Sequence, residues 1–380
     1  MKRILALLSA VLMLAIICGC NVRDYPYKAR YKKLGVPLAD YYTTGGIHRS
    51  VWDIEAYNGN IYVSSGDYDK NKGPVTVKYY DTDKKEWVND GSLPDEQIER
   101  FYVFEDKLYA AGCDPKDSWQ LGNFYLTDGS GWKTERVLPG GIHNFDLILF
   151  DGKMFAGMGV NAGEFPVAIS SDGKSFSQVP FMKDGAALSH TAGSIVRVYD
   201  FFTLNGELYA YLFTREGMTR GYDIYRYNGE CFVYHSDLIS QLEIKRNAYT
   251  HINQKVEFNG KQFIARGHLY CTSDMKTAES LEIKPNMEIV DLRVIDGTLY
   301  VLCNEKLNNK DKEEFRISVW YTNSGKKGSF KEMFFFDYEN RALSFTYDEG
   351  IFYFGMGYGI TATSDYETNG MVLSVKNKLE

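Results

Sequence analysis

Histidine and arginine recur at one distance from a repeated turn. Taking the second residue of each turn as zero, the position nine residues earlier holds Ser50, Gln97, His143, Arg197, His251, Glu288 and Arg341. Six residues earlier stand Asp53, Arg100, Asp146, Asp200, Gln254, Asp291 and Ser344. Both positions are polar in every repeat, inside otherwise apolar runs. Imidazole can accept or donate a proton, and guanidinium can grip a carboxylate through two parallel hydrogen bonds. Imidazoles at His48, His143 and His251 are also of the type that holds a metal. The phrase Gly-Gly-Ile-His occurs at 45–48 and 140–143, each ahead of an aspartate, but His48 is two residues out of phase with His143. No metal is assigned, and no cofactor is identified.

These positions need strands whose register repeats. Asn-Gly and Asp-Gly pairs between apolar runs are strong hairpin signals, because both residues tolerate positive φ. They stand at Asn58-Gly59, Asp151-Gly152, Asn205-Gly206, Asn259-Gly260 and Asp296-Gly297, with degenerate forms at Glu105-Asp106 and Glu349-Gly350. The spacings are 47, 46, 54, 54, 37 and 53 residues. An aromatic-rich strand follows each turn. A period of about 40 to 50 residues of short strands signals a β-propeller with one four-stranded blade per repeat. The expected fold is all-β, a seven-bladed β-propeller over residues 45–380; a six-bladed one is the alternative if the poor unit Ala248 to Met287 is decayed. A second turn in each unit precedes Trp87, Trp132, Phe176, Phe232 or Phe330 in five cases. These aromatics are expected to pack between blades. The stretches Lys183–Ala192 and Asp237–Arg246 read as short insertions with some helical character.

In a propeller the innermost strands line a channel, so the two polar positions become rings at its mouth and in its throat. A structural reading competes for the aspartates, which can accept hydrogen bonds from the backbone of a neighbouring blade. Loops on the mouth face add Asp67, Asp114 and Trp119, and the first Gly-Gly-Ile-His phrase adds His48 and Arg49. Carboxylates, amides and an aromatic platform on one rim suit a carbohydrate.

Residues 1–20 carry Lys2 and Arg3, an apolar run, and Ile17-Cys18-Gly19-Cys20. This is a secretory signal. Its end resembles the lipobox of bacterial lipoproteins, which implies that Cys20 is lipidated and begins the mature chain; Cys18 departs from the small residue usual there. Residues 21–44 then form a tether carrying Arg23, Lys28, Arg30, Lys32 and Lys33, in which Pro37 to Tyr42 could add an edge strand. The implied address is the bacterial cell envelope, membrane-anchored and extracytoplasmic. Losing residues 1–20 moves the net charge from −7 to −9. An acidic exported chain without basic helices is a poor nucleic-acid binder. Cys113, Cys231, Cys271 and Cys303 remain, and only Cys271 with Cys303 suggests a disulfide, from adjacent units.

Ser-Ser-Asp-Gly-Lys-Ser-Phe at 170–176 resembles the Asp-box turn of sialidase-like propellers, one residue short and ending in Phe. The aromatic-closed turns and glycine-rich second strands resemble those of kelch and galactose-oxidase-like propellers. Asp-box turns are structural and bring no activity, and the sialidase Arg-Ile-Pro motif is absent. The expectation is a monomeric, lipid-anchored propeller that binds a glycan or small carboxylate at the channel mouth. The ligand residues would be His48, Arg49, Asp67, Arg100, Asp114, Trp119, His143, Arg197, His251 and Arg341. One alternative is a saccharide-directed lyase or hydrolase at the same site, with His143 or His251 as base. The other is a scaffold that binds an envelope protein.

Overall fold

The structure is a computed structural model that describes residues 26–42, 46–67, 73–242, 254–308, 313–357 and 367–377. Cys20 and the signal segment expected at residues 1–20, and also His251, lie outside the described residues. The turns behave as their residues dictate. Asn58, Asp151, Asn205, Asn259, Asp296, Glu105 and Glu349 all adopt φ between 43° and 53°, each followed by a residue at positive φ. Each such turn joins an innermost strand to its antiparallel neighbour, as in Gly141–Phe150 with Lys153–Val160.

The innermost strands follow one another around an axis. Ile54–Tyr57 lies against Phe101–Phe104, Gly141–Phe150 against Ile195–Leu204, and that strand against Gln254–Phe258. Glu288–Ile295 and Arg341–Asp348 follow, and Arg341–Asp348 lies against Ile54–Tyr57, which closes the circle. The fold is an all-β propeller. Its blade count corrects the sequence expectation: neither seven nor six separate blades are present. Among the described residues five sheets are discrete, four of four strands and one of five. The third and fourth repeats are instead one ten-stranded sheet.

The fusion has a local cause. The strand Lys153–Val160 pairs with Gly141–Phe150 and, at its end, with Ile195–Leu204 through Gly159↔Arg197 and Val160↔Val196. Its glycines permit that approach. A Cβ on Gly157 would stand 3.0 Å from the Val198 side chain and carbonyl, and one on Gly159 would stand 3.1 Å from His143.

Ring closure uses the N-terminal segment. Lys32–Gly35 is the outermost strand of the last sheet, antiparallel to Val372–Lys376. Tyr27–Lys28 adds in parallel to Lys331–Tyr338 of the preceding sheet. The edge strand expected at Pro37 to Tyr42 is thus Lys32–Gly35, a few residues earlier; Ala39 to Tyr41 form turns there. Phe181–Lys183 likewise adds in parallel to Phe232–Ser236, covering an edge that would otherwise be free to pair with another chain. That stretch, expected to have helical character, is a strand hairpin with Ala186–Ala187. Leu238–Gln241 is a single helical turn, and among the described residues it is the one α-helix.

The aromatics after the second turns pack between repeats. The Trp132 ring lies 6.4 Å from Tyr62 and 6.2 Å from Phe101, and its indole N–H donates to Asp90 at 2.8 Å. Phe176 meets Phe124, and Phe232 meets Phe155 and Phe181. Fully burying a side chain such as Phe232 stabilises by about 1.5–3 kcal/mol. The Asp172 turn is held by N–H donation from Lys174 and Ser175, both at 2.8 Å, which keeps its carboxyl down at about 2. Cys113, Cys231, Cys271 and Cys303 are free thiols. The Cys271–Cys303 disulfide is therefore corrected: both sulfurs are small apolar fillers in one core cluster with Phe263 and Leu299.

Candidate functional site

The two polar positions are true register equivalents. His143 pairs with Gly159, Arg197 with Phe213, Glu288 with Asn304 and Arg341 with Gly357. In each of these strands the ladder then runs one more pair, skips a residue, and resumes at Asp146, Asp200, Asp291 or Ser344. The skipped residue is a β-bulge, which re-aims the side chain that follows it. The bulges recur at the same height around the axis, and sequence patterning alone did not reveal them.

The aspartates act largely as braces between neighbouring innermost strands. Asp53 accepts the Phe101 N–H at 2.9 Å, Asp146 accepts the Phe201 N–H at 2.7 Å, and Asp291 accepts the Phe345 N–H at 2.9 Å. Each carboxylate thus ties one innermost strand to the next. Two cations that repeat alignment missed neutralise them. Lys255 places its ammonium 2.7 Å from both Asp146 and Asp200. Arg293 reaches Asp53 at 2.8 Å and pairs with Glu55, with its Nε 3.9 Å from Asp291. Tyr102 donates to Asp146 at 2.7 Å. Arg100 lies in this throat and reaches Gln254 at 3.4 Å. Its affinity for its proton is raised by Tyr102, Asp146, Asp53 and Asp200 against the cost of burial. Burial pushes Glu99 up to about 7, with Asp200 adding to it and Arg100 opposing. Lys255 and Arg293 were legible only as charges inside apolar strands. Each occurs in a single repeat, so a search for shared positions passes over them.

At the upper of the two polar positions the residues separate into groups. His143 and Arg197 stand on either side of Gly159, which pairs with both. Directly paired residues point to the same face. An ideal Cβ on Gly159 would lie 3.1 Å from His143 Cδ2, 3.1 Å from Phe145 and 3.4 Å from Arg197 Cγ. His143 Nδ1 lies 2.7 Å from the Cys113 carbonyl and 3.6 Å from an Asp114 oxygen. Burial lowers the His143 pKa below the usual imidazole value, Asp114 and the Cys113 carbonyl oppose that, and Arg197 adds to it. The Cys113–Asp114 backbone is itself pinned by buried Asp95, which accepts both N–H groups at 3.1 and 3.0 Å and the Tyr125 hydroxyl at 3.2 Å. Burial raises the Asp95 carboxyl to about 7 despite these donors. The Arg197 guanidinium donates to the Tyr199 hydroxyl at 3.0 Å and lies 5.4 Å from the Phe145 ring centre.

Other expected ligand residues stand elsewhere. Arg341 is paired with Glu288, which shares its height. His48 and Arg49 are buried in the short turn Ile47–Arg49. The His48 ring packs 4.6 Å from Tyr42, and Arg49 reaches the Glu367 carbonyl at 3.4 Å. Asp67 is buried, with its N–H on the Glu96 carbonyl at 3.1 Å. Trp119 stacks under Arg136, 5.3 Å away, whose guanidinium pairs with Asp117. No three His, Cys, Asp or Glu side chains gather as a metal site among the described residues. Among those residues no helix is long and apolar enough to cross a membrane.

No protein-family model matches the chain. No curated protein matches it either. Among solved structures it is similar to the β-propeller domain of the Trilobed protease from Pyrococcus furiosus, at 9% identity and TM-score 0.45, over 85% of this chain and 92% of that one. It is similar to a chain of the Mitotic Checkpoint Complex at 9% identity and TM-score 0.49, over 93% of each. It is similar to the Pyrococcus horikoshii acylaminoacyl peptidase at 8% identity and TM-score 0.48, over 88% of this chain and 52% of the peptidase, so it spans about half of that enzyme. Likenesses this distant carry no activity across, and the propeller rests on the strand pairing itself.

Proposed function

We propose that the protein is a lipid-anchored, extracytoplasmic propeller that binds an acidic ligand, a uronate-bearing glycan or a small carboxylate, at the channel mouth. The observation that carries this reading is Arg197. Its guanidinium is half-buried against Phe145 and Tyr199 and has no carboxylate within ion-pair distance among the described residues. Lys255, Arg293 and Arg341 each have such a partner. A guanidinium held in one orientation by aromatic faces is poised for two parallel hydrogen bonds to a carboxylate. Ligand binding to the native state raises thermal stability by mass action. Galacturonate or glucuronate should therefore raise the melting temperature, and the neutral sugars galactose and glucose should not. Arg197→Ala should lose the shift and Arg341→Ala should keep most of it. An unchanged shift in Arg197→Ala, or no shift with any acidic ligand, overturns the reading. The address rests on Cys20 after Ile17-Cys18-Gly19. Cys20→Ala should leave the membrane fraction, since a diacylated terminus is what gives stable attachment. A mutant that still pellets with membrane refutes the anchor.

A further inference from the structure

We infer that this site, on the reading just given, recognises a hydroxyl beside the carboxylate through His143 Nε2, so that its ligands are hydroxy acids, sugar acids among them. A carbonyl oxygen can only accept. The 2.7 Å contact from Nδ1 to the Cys113 carbonyl therefore puts the ring proton on Nδ1. In the neutral ring Nε2 is then a lone-pair acceptor. It makes no hydrogen bond to a described residue. Burial and the nearby Arg197 both favour the neutral ring. The tautomer is held from behind, because Asp95 fixes the N–H groups of Cys113 and Asp114 and so the carbonyl that His143 faces.

The two recognition groups share one floor. Gly159 pairs with both His143 and Arg197, and where a side chain would stand it is closed in by His143 Cδ2 at 3.1 Å, Phe145 Cε2 at 3.1 Å and Arg197 Cγ at 3.4 Å, so the Phe145 ring shares the floor with both groups. Cδ2 is the ring carbon bonded to Nε2. An acceptor and a fork of donors therefore rise side by side. A ligand that spans them must offer acceptor oxygens to Arg197 and a donor to His143. A carboxylate with a hydroxyl close by does both. A bare carboxylate held by Arg197 beside Nε2 sets its lone pairs against that of Nε2, and this repulsion gives the discrimination.

The test is calorimetric titration of the full chain with galacturonate and with tetrahydropyran-2-carboxylate, which keeps the ring and carboxylate but lacks hydroxyls. Wild type should bind galacturonate at least about tenfold more tightly, the effect of one well-placed hydrogen bond at about 1.4 kcal/mol. His143→Phe should bring the two affinities together, and His143→Gln, which restores an acceptor, should recover part of the difference. Equal affinities in wild type, or a preference that survives His143→Phe, overturn the inference while leaving carboxylate binding at Arg197 intact. Failure of both acids to bind wild type overturns the site altogether. If His143→Phe does not fold, His143→Leu takes its place, and equal affinities on wild type overturn the inference in either case.

Discussion

Replacing Lys255 with Met tests how far the throat depends on one cation. The ammonium stands 2.7 Å from Asp146 and 2.7 Å from Asp200, and the side chains are 10%, 4% and 3% exposed. Met matches the stem but removes the charge, which leaves two buried carboxylates facing one another. Breaking a buried pair by removing one partner costs about 3–5 kcal/mol. At about 2.1 cal/mol/K of unfolding entropy per residue, a chain of 380 residues loses roughly 4–6 °C in melting temperature for that cost. Differential scanning calorimetry at pH 7.5 measures it. Asp200→Asn added to Lys255→Met should recover part of the loss, because it removes one of the two stranded charges. A shift below about 1 °C at pH 7.5, or an additive loss in the double mutant, would show that water in the channel already screens these charges and that the brace is dispensable.

Three further outcomes follow from the same geometry. Deleting residues 21–35 removes both N-terminal strands and bares the edge of Val372–Lys376; size-exclusion chromatography should then show concentration-dependent association, and a monomer with unchanged melting temperature would refute the closure role. Trp132→Ala removes the half-buried ring packed against Tyr62 and Phe101 and should cost about 1.5–3 kcal/mol in urea unfolding; a loss under about 0.5 kcal/mol would place the packing elsewhere. Burial raises the carboxyls of Asp95, Glu99 and Asp291 to about 7. A raised carboxyl contributes stability that is fully present below its unfolded pKa, near 4, and is lost as pH climbs through 7. The urea midpoint should therefore fall between pH 5 and pH 8, and a midpoint that rises across that window contradicts the burial of these groups.

The repeat was legible because it rests on local chemistry. Asn-Gly and Asp-Gly turns demand positive φ, and the structure places them where the sequence marks them. The equal distance of His143, Arg197, Glu288 and Arg341 from their turns was legible in the same way, but the β-bulge that lies between them and the turn shifts their pairing by one residue, and only the structure shows it. The Asp-box-like turn and the aromatics behind it also needed only neighbours a few residues away. What tertiary structure decided is where separate repeats meet. The fusion of the third and fourth repeats depends on the strand Ile195–Leu204 coming close enough to pair at Gly159; the glycines of Lys153–Val160 permit that approach, but only the closed ring brings the two strands together. The pairing of Arg341 with Glu288, and of Lys255 with Asp146 and Asp200, likewise joins residues tens to more than a hundred positions apart. A repeat alignment sees positions that recur, whereas a buried charge is neutralised by whichever partner reaches it across the channel. The sequence therefore determines the height of each polar side chain, and only the closed ring determines which of them are already occupied by one another and leaves Arg197 without a carboxylate among the described residues.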